Sequence, residues 1–93
     1  MTQERPRFGD RIEAEVVEIK GNCSWGHTVG QKMDVSCHDT AGVCGMLYHE
    51  MFPTLSVLQF GGQYPWGEAG IAEVECPDRY NSVKLRLRRI PNQ

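Results

Sequence analysis

A cysteine and a histidine stand four positions apart in the segment GNCSWGH, residues 21–27. Glycine and asparagine around them favour turns, so Cys23 and His27 are expected in a loop. Cys44 lies near the start of a predicted helix, and Cys76 ends a predicted strand. Each of these residues therefore lies at the end of an element, where a loop-built site can gather side chains from distant parts of the chain.

These four residues match a metal site in type and number. Zinc takes tetrahedral sets such as Cys₃His, and the same ligands accept iron. The sequence predicts a small metal-binding module, an accessory or protein-interaction domain, with zinc or iron held by Cys23, His27, Cys44 and Cys76. Asp78, just after Cys76, is expected to orient the ring of His27. A C-x3-H pair suits a metal knuckle, but no pair of C-x2-C motifs accompanies it, so the fold has to bring these ligands together.

A thiol-dependent enzyme or redox protein is the alternative interpretation of the same residues. A cysteine in the first turn of a helix feels the positive end of the helix dipole, which favours the thiolate. Cys44 or Cys23 would then be the nucleophile and His27 its base. A thiolate is also what a metal needs, so this feature does not separate the two hypotheses. A third hypothesis is an interaction domain in which the thiols are merely buried.

Several other polar and aromatic residues have uncertain roles at this point. Cys37 and His38 are neighbours on or near a strand, so their side chains point to opposite faces and only one is expected to join the site. His49 is predicted to be a solvated or packing histidine of the helix. Trp66 is predicted to cover the open end of the sheet as part of the core, and a ligand shelf made by Tyr64 and Trp66 is the alternative.

The hydrophobic pattern predicts two strands, a helix and two more strands. Alternation indicates strands over 10–20 and 32–36, and the change of apolar phase in the first suggests either a bulge or a strand that is partly covered on both sides. A helical stripe follows, with Asp39 or Thr40 as its cap and Pro53 as its end or kink. Strands over 71–78 and 81–90 close the chain.

This β-β-α-β-β order is typical of an α+β fold, a small antiparallel sheet with one main helix packed on one face. The length suits a single small Cys/His-containing domain over residues 1–93. The helix is expected to cover the sheet with Met46, Leu47 and Met51.

Charge and composition exclude some partners. The net charge of −2 is too near neutral to drive binding to nucleic acid or membranes. In the one basic stretch, residues 83–89, basic residues alternate with apolar ones. Its positive charges are matched by Glu73 and Glu75 on the preceding strand. The N-terminus lacks a signal-like apolar run, and no segment approaches the roughly 20 apolar residues that cross a bilayer. A cytoplasmic protein with reduced thiols is expected, with a protein partner or a homo-oligomer.

The chain resembles a family of small, functionally uncharacterised prokaryotic proteins. The matching pattern runs through GNCSWGHTVGQ, GVC, FPTLSVLQFGGQYPW and ECPD to a closing strand that ends in RRI. The resemblance implies that the marked positions of the family are filled here by Cys23, His27, Gly30, Cys44, Pro53, Gly61, Gly62, Trp66, Cys76, Pro77 and Asp78. Cys37 and His38 lie outside the pattern, and Gln31 stands where an acidic residue is more usual. The family implies no reaction, but it groups three cysteines with His27.

Overall fold

The computed structural model of the protein describes residues 8–90, and the remaining residues of the predicted domain, 1–7 and 91–93, lie outside it. The described elements are β1 (Arg11–Ile19), β2 (Lys32–Val35), α1 (Gly45–Gln59), β3 (Ile71–Glu75) and β4 (Val83–Ile90). The strands form one antiparallel sheet in the order β2-β1-β4-β3, against which α1 packs. The predicted α+β class and the order of its elements are confirmed.

The core lies between α1 and one face of the sheet. In β1, Ile12, Ala14 and Val16 are fully buried, as their alternation predicts. The pairing of β1 with β4 shifts register between Val16 and Glu18. Of the two explanations predicted for the change of phase, this register shift agrees with the bulge, and it ends the run of alternate core positions.

The opposite face of the sheet carries stripes of opposite charge. Arg86 of β4 pairs with Glu73 of β3 at 3.2 Å, and Lys84 pairs with Glu75 at 3.7 Å and with Glu18 at 3.3 Å. These two carboxylates raise the pKa of Lys84, Glu18 contributing more. The predicted matching of basic and acidic strands is confirmed.

Helix α1 is longer than the position of Pro53 predicts. The helix continues through Pro53 to Gln59, so of the two outcomes predicted at the proline, an end or a kink of the helix, the end is wrong. A proline inside a helix costs about 3 kcal/mol. Here the apolar stripe continues beyond it, with Leu55 and Leu58 almost fully buried, and this burial offsets the cost.

Two further details of α1 differ from expectation. Leu47 and Met51 are buried as predicted, but Met46 is 65% exposed and belongs to the outer face of the helix. Neither Asp39 nor Thr40 caps the helix, because the N-cap residue is Cys44. An oxygen of Asp39 instead accepts the N–H of Ala41 at 2.9 Å within the preceding turn.

The C-terminal end of α1 is fastened by two buried or half-buried polar side chains. Gln59, 1% exposed, accepts the N–H of Cys37 at 2.9 Å and donates to the carbonyl of Phe8 at 2.7 Å. Arg89 donates from Nε to the carbonyl of Leu58 at 3.0 Å. These bonds join the helix end to three other parts of the chain.

Among residues 8–90 no helix is long and apolar enough to span a membrane.

Candidate functional site

Cys23 and Cys76 lie toward the same end of the sheet. The N–H of Cys76, directly after β3, donates to the carbonyl of Val83 at 2.8 Å. Val83 in turn pairs with Ile19, the last residue of β1, and Cys23 follows in the next loop. Both cysteines are partly buried and pack against the core. The sheet thus places two of the predicted ligands toward one end of its strands.

His27 is joined to the start of α1 by its own side chain. The imidazole is only 5% exposed, and its Nε2 accepts the backbone N–H of Cys44 at 3.2 Å. Its Nδ1 lies 3.0 Å from Oε1 of Gln31, and the same oxygen accepts the N–H of Thr28 at 3.3 Å. An amide oxygen only accepts, so Nδ1 carries the proton and Nε2 is bare. Both ring nitrogens are therefore engaged by the protein.

The expected role of Asp78 is wrong. Its Oδ1 accepts the N–H groups of Tyr80 at 2.9 Å and Asn81 at 3.0 Å, and these bonds lower the pKa of the carboxyl group. Asp78 therefore shapes the turn between β3 and β4. The residue that orients His27 is Gln31, which the sequence marked only by its unusual type.

A metal centre is not assembled among the described residues. Between residues 8 and 90 no group of three or more His, Cys, Asp or Glu side chains is placed to hold a metal ion. Cys23, His27, Cys44 and Cys76 therefore share no such centre in this conformation. The four cysteines of the chain are all free thiols. Metal binding by these residues stays a prediction.

The same geometry gives the thiol-enzyme hypothesis little support. A general base needs a free lone pair within hydrogen-bond reach of the group that it deprotonates. The lone pair of Nε2 in His27 is directed at the backbone N–H of Cys44. For Cys44 to lose its thiol proton to His27, this bond would first have to open.

Cys37 and His38 lie apart from this region. The N–H of Cys37 is bonded to Gln59 at the far end of α1, and the ring of His38 packs against Phe8 with centroids 4.7 Å apart. Burial raises the pKa of the Cys37 thiol, which disfavours the reactive thiolate. His49 is exposed on α1, as predicted for a solvated histidine.

Trp66, in the loop after α1, is far more exposed than its predicted place in the core implies. Trp66 is 68% exposed, so the prediction that it closes the core is wrong. Its ring stacks on Tyr64 with centroids 5.0 Å apart and planes 20° apart. Gly61, with φ of 88°, turns the chain here, and a Cβ on Gly62 would lie 3.0 Å from Val57. These glycines direct the loop away from the helix end.

Tyr64 and Trp66 line an open groove of about 770 Å³ beside β3. The other walls include Thr54 of α1, Ile71 and Glu73 of β3, and the two guanidinium side chains of β4, which are Arg86 and Arg88. Such a mixture of aromatic surface and a few charged groups is typical of binding sites. The sequence signal for this groove was the alternative interpretation of the segment, a ligand shelf made by Tyr64 and Trp66, and ligand binding there stays a prediction.

Comparison of the chain with protein-family models, with curated proteins and with solved structures gave no match.

Proposed function

We propose that this protein is a small accessory domain that binds an extended segment of a partner protein in the groove beside β3. The observation that carries the proposal is the exposed ring of Trp66, stacked on the half-buried Tyr64 on the wall of that groove. Tryptophan and tyrosine supply large apolar area with few rotatable bonds, and they are enriched among residues that dominate binding energy.

The surroundings of the pair suit a peptide better than a small molecule. The groove is open and lies beside an edge strand, because β3 stands at one edge of the sheet order β2-β1-β4-β3. Its rim is charged, with Glu73 and Arg86 already paired with each other. An apolar platform with a polar rim is the usual anatomy of a protein interface. A domain of this size contributes such a surface without needing a deep pocket.

A displayed library of random peptides tests the proposal with two matched variants. The chain has a second exposed tryptophan, Trp25, which is 61% exposed and lies in a different loop. Peptides selected on the wild-type protein should bind Trp25→Ala normally and Trp66→Ala at least about tenfold more weakly, the equivalent of one lost anchor side chain. If no peptide is enriched, or if all selected peptides bind both variants equally, the proposal fails.

Metal binding is the second candidate function. It is supported by four free thiols and by the position of Cys23 and Cys76 toward one end of the sheet. Recruiting His27 would require one of its two hydrogen bonds to be exchanged for the metal. Elemental analysis after anaerobic purification should then find close to one equivalent of zinc or iron, and absence of metal would remove this candidate.

A cysteine pair provides the control for the metal assay. Cys76→Ser should abolish the bound metal, whereas Cys37→Ser should retain it, because the N–H of Cys37 is bonded at the other end of α1. Equal metal content in the two variants would contradict the ligand assignment.

A further inference from the structure

We infer that the occupant of the groove is a basic segment that adds to β3 as a fifth antiparallel strand. This inference rests on the proposed function and specifies the chemistry of the partner. It combines two independent features of β3, which are its unpaired backbone groups and the charge of the segment to which it belongs.

The backbone of β3 offers hydrogen bonds along its outer edge. Gly70 accepts the N–H of Arg89, and Cys76 donates to Val83, so the positions that face β4 are 70, 72, 74 and 76. The intervening residues, Glu73 and Glu75, direct their N–H and C=O groups away from the sheet. Within residues 8–90 no backbone or side-chain group bonds to these N–H groups. An edge of this kind is a template for an extended chain.

The chain segment that carries this edge is acidic, and the basic residues Arg86 and Arg88 that also line the groove belong to the neighbouring strand β4. Residues 61–78 contain Glu68, Glu73, Glu75 and Asp78 and no lysine, arginine or histidine. Across the sheet the stripes alternate, with acidic residues on β3 facing basic residues on β4. A fifth strand that continues the alternation would be basic on this face. Side chains directly opposite Glu73 and Glu75 would lie on the same face and within reach of the carboxylates.

The aromatic wall selects for the same chemistry. Trp66 lines the groove together with Glu73, and its ring is largely exposed. A lysine or arginine that passes Glu73 toward this wall gains a cation–π contact in addition to the ion pair. The acidic edge and the aromatic face therefore favour one class of residue.

A second copy of the protein is a poorer occupant of the edge. Antiparallel pairing of two β3 strands about a two-fold axis would bring Glu73 and Glu75 of one copy against the same residues of the other. Like charges opposite each other destabilise a pair of strands. The acidic side chains thus discourage self-association of this edge while they attract a basic segment.

Synthetic peptides with alternating arginine and valine test the inference on the full-length protein. One peptide is unmodified, a second has glutamate in place of each arginine, and two more carry N-methyl groups on either the arginine or the valine nitrogens. With arginine opposite Glu73 and Glu75, the arginine N–H groups face β3 and the valine N–H groups face solvent. Methylation at arginine should therefore weaken binding by about tenfold or more, and methylation at valine should leave it unchanged.

Amide hydrogen exchange identifies the strand that is bound. Saturating basic peptide should slow exchange at the amides of Glu73 and Glu75 by about tenfold or more. The variant Glu73→Gln/Glu75→Gln should bind the peptide at least about tenfold more weakly than Glu13→Gln/Glu15→Gln, which removes the same charge from the same face of the interior strand β1.

Three results would overturn the inference. The first is that the glutamate peptide binds as tightly as the arginine peptide. The second is that the arginine peptide binds without slowing hydrogen exchange at the amides of Glu73 and Glu75. The third is that these amides are protected from exchange in a dimer that forms without peptide. If library peptides still require Trp66 in any of these cases, the proposed function stands and only the strand-addition geometry fails. If no peptide requires Trp66, the proposed function itself fails.

Discussion

The backbone N–H of Cys44, the N-cap residue of α1, donates a hydrogen bond of 3.2 Å to Nε2 of His27. A side chain from the β1–β2 loop therefore caps the N-terminus of this helix. In a capping box, a glutamate or glutamine within the helix binds the N–H of the N-cap residue. Here a histidine from a distant loop performs that role, and Gln31 fixes the tautomer that makes it an acceptor. The residue that the sequence marks as a metal ligand thus has a structural task in this conformation.

Removing His27 should destabilise the fold. The variant His27→Ala leaves the N–H of Cys44 without its acceptor and removes the one buried side chain of the β1–β2 loop, so the free energy of unfolding should fall by about 2–3 kcal/mol. Urea denaturation measures this change. His49→Ala, which truncates an exposed histidine of α1, should stay within about 0.5 kcal/mol of wild type. Similar losses for the two variants would contradict the capping role.

Gln59 should be one of the costliest polar side chains to truncate. Gln59→Ala leaves the N–H of Cys37 and the carbonyl of Phe8 without partners at a buried site, and it should lower the free energy of unfolding by about 2–4 kcal/mol. Gln63→Ala removes an exposed glutamine from the following loop and provides the control. Thermal and urea unfolding of both variants give the comparison, and a small effect at Gln59 would mean that water replaces its bonds.

The neighbouring arginines of β4 should differ sharply. Arg89 bonds the carbonyls of Leu58 and Gly62 and lies 3.4 Å from a carboxylate oxygen of Asp10. Arg89→Gln should therefore lower the free energy of unfolding by about 1–3 kcal/mol, the range for hydrogen bonds from charged groups. Arg88→Gln changes the same charge at an exposed position and should cost less than about 0.5 kcal/mol. Equal losses of unfolding free energy in the two variants would show that the positive charge, and not the hydrogen bonds of Arg89, stabilises the fold.

Replacing Pro53 should stabilise the protein. Pro53→Ala restores a helical N–H inside α1, and the helix-propensity gain exceeds the entropy that proline removes from the unfolded chain. We expect the free energy of unfolding to rise by about 1–2 kcal/mol. Pro65→Ala, in the loop before Trp66, loses only the unfolded-state effect and should be neutral or destabilising. A lower free energy of unfolding for Pro53→Ala than for wild type would contradict this prediction. It would indicate that the proline itself is needed on the exposed face of α1.

Asp78 should make the turn between β3 and β4 sensitive to acid. The bonds from Asn81 and Tyr80 hold the pKa of Asp78 below its value in the unfolded chain, which is about 3.9. Stability from this group is therefore present above about pH 4 and is lost as the pH falls through the lower, folded pKa. The advantage of wild type over Asp78→Ala in melting temperature should shrink between about pH 5 and pH 2.

An exposed acidic residue of α1 is the control for this pH series. Glu50→Ala removes the same charge, and its difference from wild type should change less over the same range. A pH-independent difference at Asp78 would contradict the assigned hydrogen bonds.

Periodicity determined the elements of this protein because alternation and helical spacing are local properties. The apolar positions of β1, the bulge after Val16 and the acidic–basic match of β3 with β4 all follow from spacing along the chain. Pro53 was misleading because a local preference of a few kcal/mol yields to the burial of Leu55 and Leu58.

The candidate site was decided by the tertiary structure. The sequence identified Cys23, His27, Cys44 and Cys76 by residue type, yet type does not state which atoms meet. The fold directs the lone pair of His27 to a backbone N–H, and it leaves Trp66 beside an open strand edge. Hydrogen-bond direction and exposure depend on how distant segments pack, and for that reason the sequence alone did not contain them.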